Sequence, residues 1–154
     1  MDDFAALRAD IDREMRNLER LSQELVRVLV ATTEGTSARV RAAGSVIHDF
    51  YTGAEKIFRR IAIRMDQDLP TGEDWHVQLL HRMAVSVEEI RPAVIDGTLE
   101  NQLEEYLRFR HLFRNIYGFD LKWERCQPLA ERMDKTFGDL KEQIGIFENF
   151  LSSI

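Results

Sequence analysis

The chain has 154 residues, a common size for one domain, and is 44% hydrophobic and 31% charged. Three prolines and eight glycines argue against disorder and against a turn-rich all-β fold. A net charge of −6 argues against a general nucleic-acid binder, though not against a local basic site, and a single cysteine excludes an intrachain disulfide framework and disfavours a cysteine-built zinc site. The opening Met1-Asp2-Asp3 does not resemble a signal peptide, and no apolar run approaches the ~20 residues that span a bilayer, so a cytoplasmic, non-membrane protein is expected.

Apolar residues recur at spacings of three and four almost throughout, which predicts helices. The first run is Phe4, Leu7, Ile11, Met15, Leu18, Leu21, Leu25 and Val28, and it fades at residues 32–37. The second is Ala43, Ile47, Phe50, Ala54, Ile57, Ile61 and Met65, ending before Leu69-Pro70. Thr71, with Asp74 three residues on, reads as the cap of a short third helix bearing Trp75, Leu79 and Met83. Residues 91–97 read as a loop, and Thr98 as the cap of a fourth helix carrying Leu99, Leu103, Tyr106, Leu107, Phe113 and Tyr117, stopped by Gly118. Asp120 reads as the cap of a last long helix through Trp123, Cys126, Met133, Phe137, Ile144 and Leu151. The expected architecture is all-α: a single domain over 1–154, a four-helix bundle with one additional short helix. Trp75, Trp123 and Cys126 fit core positions. Gly53, unfavourable inside a helix by about 1 kcal/mol, suggests a close approach by the fourth helix or by a dimer partner.

The fourth helix breaks its own pattern. At 100° per residue, Arg110 falls in the middle of the face formed by Leu103, Tyr106, Leu107, Phe113 and Tyr117. An arginine there is costly unless it is paired or lines a cleft. The structural explanation is an ion pair with the second helix, through Asp49 or Glu55, Asp49 being the better candidate. The functional explanation draws on the neighbours: Arg108, Arg110, His111 and Arg114 lie together, no acid occurs between Glu105 and Asp120, and Tyr106, Phe109, Phe113 and Tyr117 interleave. Such a segment can hold phosphates and stack bases, and in an acidic protein it suits a small RNA or nucleotide site. His48, His76 and His81 lack the paired spacing of a metal site, and His76 and His81 read as surface or loop-packing residues.

The string Arg110-His111-Leu112-Phe113-Arg114-Asn115-Ile116-Tyr117 resembles the R-x4-H-x-Y signature of the HepT-like proteins of the HEPN superfamily. Arginine and tyrosine match, while the histidine position holds Asn115. The flanks are similar too: His48-Asp49-Phe50-Tyr51-Thr52-Gly53, residues 69–76 and Arg91-Pro92, so that the resemblance runs from about Val46 to Phe150. It implies a homodimer with two motifs facing one cleft, a minimal nucleotidyltransferase as antitoxin partner, and a toxin that cleaves RNA without metal or other cofactor. It makes Arg110, Asn115 and Tyr117 the catalytic positions, Arg108, His111 and Arg114 RNA- or phosphate-binding neighbours, and Tyr117 a residue that the partner can modify with AMP.

Metal-free cleavage needs a group that moves a proton near neutral pH, and asparagine cannot. His111 does not replace it by spacing, because the arginine would have to stand at Glu104, Glu105 or Tyr106. Three readings follow: an RNA-cleaving or degenerate HepT-like toxin; a non-catalytic module that uses the arginine cleft to hold a nucleotide or dock a nucleotidyltransferase; and a plain helical scaffold. Arg110 buried within one chain against a carboxylate would overturn both of the first two readings.

Overall fold

The stripe Leu7, Ile11, Leu18 and Leu25 is the buried side of α1 (Ala5–Ala31). The computed structural model describes residues 3–154; Met1 and Asp2, part of the amino-terminal stretch read for a signal peptide, lie outside the described residues. α1 turns back into α2 (Ser37–Ile61) through a turn closed by Arg39, whose Nη2 donates to Leu29 O at 2.6 Å and Thr32 O at 2.7 Å. These carbonyls have no partner inside the last turn of α1, so a guanidinium satisfies them. α2 begins well before the apolar run at Ala43 because the Thr36 hydroxyl caps it, accepting from Arg39 N. It continues into a single π-helical turn, Ala62–Asp66, and stops at Gln67 in the left-handed region.

α2 is the central helix. It packs against α1, α4, α5 and the short α3 (Trp75–Met83), and buries residues on nearly every side, from Val40 to Ile61. α4 (Gly97–Asn115) and the long α5 (Trp123–Ser153), which runs through Pro128, complete the bundle. The expected all-α fold of four long helices and one short one is what is found; among the described residues the only bridge is Val87 with Arg91. Cys126 is buried on the stripe of α5, and Trp75 and Trp123 open their helices half-buried against the core. No helix among the described residues is long and apolar enough to cross a membrane.

Three caps differ from expectation. Thr71 lies in a turn with Gly72 at φ +106°, and α3 starts only at Trp75, where the Asp74 carboxylate accepts from the Gln78 side chain rather than from the backbone. α4 is capped by Asp96 and not Thr98: Asp96 Oδ1 accepts from Leu99 N at 2.8 Å, and its own N–H is held by Gln143 Oε1 of α5. Asp120 sits in a short 3-10 turn, Gly118–Asp120, and α5 begins at Trp123 without a side-chain cap. At α4 the anchor from Gln143 chose among several polar residues that could cap, whereas α3 and α5 start without a side-chain cap.

Gly53 does admit a close neighbour, but it belongs to α1: an added Cβ would lie 2.6 Å from Leu18 Cδ2. The α1–α5 seam carries a pH dependence. Glu148 is pushed up to about 7 by burial and by a hydrogen bond and charge from Asp12, against the lowering effect of Arg8. A carboxyl raised above its unfolded value of about 4.3 binds more protons in the folded state, so its contribution is full below that value and is lost as pH rises toward 7. Glu148→Gln is therefore expected to remove a downward drift in melting temperature between about pH 4.5 and 7. An unchanged drift would mean that Glu148 does not titrate in this range.

Candidate functional site

The fourth helix presents its charged residues in three directions. Arg110 points inward, onto α2, and is 2% exposed. Its Nη2 meets Glu55 Oε2 at 2.8 Å, its Nη1 donates to Thr52 Oγ1 at 3.4 Å, and its guanidinium lies over the Tyr51 ring at 4.9 Å. His76 joins from α3, with Nδ1 2.7 Å from Glu55 Oε2 and 3.0 Å from Arg110 Nη2. A guanidinium only donates and a carboxylate only accepts, so Nδ1 cannot satisfy both. The shorter contact assigns Nδ1–H to Glu55, which then takes two donors on one oxygen. Burial, together with the Glu55 charge, pushes the Tyr51 phenol well above its ordinary range.

Glu55, not Asp49, is therefore the partner of Arg110, and His76 is a member of this cluster rather than a surface or loop-packing residue. Asp49 is exposed and bound to His48. The sequence did contain a signal for Glu55: it stands four residues after Tyr51 and three before Phe58, both fully buried, as Arg110 stands on its own apolar face. Nothing in the sequence marks His76 as the third member. Arg110 is thus enclosed within one chain against a carboxylate, the arrangement expected to overturn both functional readings built on that arginine, and its guanidinium is removed from the phosphate role.

Arg108 faces away, toward α5. It pairs with Glu104 one turn earlier and lines a groove of about 350 Å³ with Phe109, Leu112, Arg125 and Arg132, where Glu105 and Glu124 offset the charge. His111 is exposed, and Asn115 Nδ2 donates to its carbonyl at 2.7 Å. The asparagine side chain thus serves the helix end. A larger hollow of about 700 Å³, between residues 92–99 and α5, contains none of the motif residues.

Arg114 points back to α2, where its Nε–H donates to His48 Nε2 at 3.0 Å. The end of α4 is seated there by Gly44: a Cβ at this position would lie 2.8 Å from Leu121 and 3.0 Å from Phe113. The His48 ring packs on Phe113, with centroids 5.3 Å apart.

Tyr117 is not on the apolar face of α4. The helix ends at Asn115, Ile116 and Tyr117 are extended, and the Tyr117 side chain is 72% exposed. Its ring stacks on Phe119, also exposed, with centroids 5.1 Å apart and planes within 7°. The guanidinium of Arg41 lies against Gly118, closer than a side chain at that position would allow. Arg41, His48 and Phe119 were not marked by sequence reasoning as parts of one site, because their proximity depends on how α4 ends.

The motif residues thus separate: Arg110 inside, Arg108 in the α4–α5 groove, and Arg114 and Tyr117 on a face shared with α2. No curated protein and no solved structure matches the chain. A family model described as HepT-like protein matches residues 42–151, from α2 through nearly all of α5. With the all-α bundle and the Arg110-to-Tyr117 string inside that match, the chain belongs to the HepT-like proteins of the HEPN superfamily.

Proposed function

We propose that this chain is the HepT-like component of a toxin–antitoxin module, paired with a minimal nucleotidyltransferase, and that it engages single-stranded RNA at the face of Arg41, Arg114, Tyr117 and Phe119. The observation that carries this reading is the exposed parallel stack of Tyr117 on Phe119, with the Arg41 guanidinium against the intervening Gly118, in a protein of net charge −6. Exposed aromatics stack bases, and arginines hold the backbone between them. The reading does not rest on Arg110, and it assigns no proton transfer to Asn115. Homodimerisation belongs to the same proposal. The exposure of Tyr117 also suits it as the residue that receives AMP from the partner.

The burial of Arg110 favours a second reading, a helical scaffold with no RNA role, and one experiment separates the two. Tyr117→Ala and Phe119→Ala are each expected to weaken binding of a fluorescent single-stranded RNA by about 1–3 kcal/mol, with affinity falling steeply with salt. With the cognate nucleotidyltransferase and ATP, the intact chain is expected to gain one AMP by mass spectrometry, and Tyr117→Phe none. A wild-type chain that binds no RNA and accepts no AMP supports the scaffold.

A further inference from the structure

The face just described lacks a proton-transfer residue at Asn115, and α2 supplies one. His48 Nε2 accepts from Arg114 Nε–H at 3.0 Å, and because a guanidinium is only a donor, that nitrogen carries no proton. The proton is then on Nδ1, which donates to Asp49 Oδ1 at 3.0 Å. The ring is fixed by a carboxylate on one side and by Phe113 beneath it, with its basic nitrogen held beside an arginine. Tautomer and orientation are thus set by one partner, as in an imidazole base, while the Nε2 lone pair is held by Arg114 until that guanidinium is drawn to another acceptor.

The site is open to solvent, since Asp49 is 55% and His48 18% exposed and Arg114 lies at the surface. Arg41 and His48 are seven residues apart on α2, hence on one side of the helix and roughly 10 Å apart along it. Arg41 lies at Gly118, the residue that separates Tyr117 from Phe119 in the chain. One face therefore combines a stacking platform, two guanidiniums and an oriented histidine.

We propose that His48, oriented by Asp49, is the general base of a ribonuclease site on this face, with Arg114 as the phosphate ligand. The inference rests on the RNA-engaging reading above. When Arg114 moves from His48 to a phosphate oxygen, the Nε2 lone pair is released to a ribose 2′-OH. His48 takes the 2′ proton, the O2′–P bond forms, and the P–O5′ bond breaks. The leaving O5′ takes a proton from water, and the hydroxide so formed is neutralised by the proton on His48. The products are a 2′,3′-cyclic phosphate and a 5′-hydroxyl, with Arg114 stabilising the charge on the phosphorane.

The test uses the full chain, a fluorescent single-stranded RNA and the same RNA with 2′-deoxyribose throughout, in excess EDTA. Wild type is expected to cleave the first and not the second. His48→Gln is expected to lose roughly 10²–10⁴-fold in cleavage while still binding the deoxy oligonucleotide. Asp49→Asn should lose less and shift the pH profile, and the exposed His81→Gln should match wild type. Equal cleavage by wild type and His48→Gln overturns the assignment. Binding without cleavage by wild type also overturns it and leaves the RNA-engaging reading standing; no binding at all overturns both. If His48→Gln does not fold by circular dichroism, Asp49→Asn decides, and an unchanged rate and pH profile in that variant overturns the proposal.

Discussion

Glu55→Ala is expected to destabilise the protein by about 3–5 kcal/mol, measured by urea unfolding. The carboxylate is 7% exposed and receives both the Arg110 guanidinium and the His76 Nδ1–H. Its removal leaves a guanidinium enclosed by Tyr51 and α2 with an imidazole nitrogen 3.0 Å away, and two donors without their acceptor. Arg110→Ala should cost less than Glu55→Ala, because the carboxylate left behind keeps His76, which is partly open to solvent. The double variant Glu55→Leu with Arg110→Met should recover most of the loss, since two apolar side chains have no charge to desolvate. Losses below about 1 kcal/mol in both single variants would show that water reaches the pair and screens it.

The second large effect is expected at Arg91. Its guanidinium forms a two-pronged pair with Asp66, Nε to Oδ1 at 2.7 Å and Nη2 to Oδ2 at 2.8 Å, with the arginine side chain fully buried. The same group donates to the carbonyls of Val85, Pro92 and Arg82. One side chain thereby ties the π-helical turn after α2, the end of α3 and the segment leading to α4. Arg91→Ala is expected to cost about 3–5 kcal/mol, and Arg91→Lys also a substantial part, because an ammonium cannot reproduce the planar fork. Hydrogen exchange should show where: the amides of Val94 and Ile95, which donate to Met83 O, should lose protection before those of α2. If they remain as protected as in wild type while stability falls, the loss is global and Arg91 does not hold this segment specifically.

These two ion pairs also show what the sequence carries and what it does not. Arg110 was legible as an anomaly, because a charge in the middle of an apolar face is visible from periodicity alone. Its partner was not, since Asp49 and Glu55 are both on α2, and only the packing angle of α4 on α2 decides which of them meets the guanidinium. Arg91 sat in a stretch read as a loop and noted otherwise only as part of a family-like flank. A loop arginine has no periodic context, and its burial follows from where Asp66 is carried by the π-helical turn. The cap of α4 fell on Asp96 and not on Thr98 for a related reason: several polar residues near a helix start can cap it, and a distant anchor, Gln143, selects one.

The family string was likewise readable, but its side chains did not converge. A linear motif assigns spacing along a helix, whereas exposure depends on which side of that helix is covered, and α2 covers the side that Arg110 occupies. The neighbours that give the exposed face its chemistry, Arg41 and His48, come from a helix more than 60 residues earlier.

The amino-acid sequence by itself determined the helical class, the number and order of helices and the segment in which the family signature lies. The helical features depend on the period of apolar residues and the signature on the resemblance of a contiguous string, and both are local properties of the chain. Only the tertiary structure decided that Arg110 is sealed by Glu55, that Tyr117 leaves the helix to stack on Phe119, and that His48, held by Asp49, meets Arg114. Contacts between residues far apart in the chain depend on how helices cross and where they end, and a few degrees or one residue at a helix end changes which side chains meet.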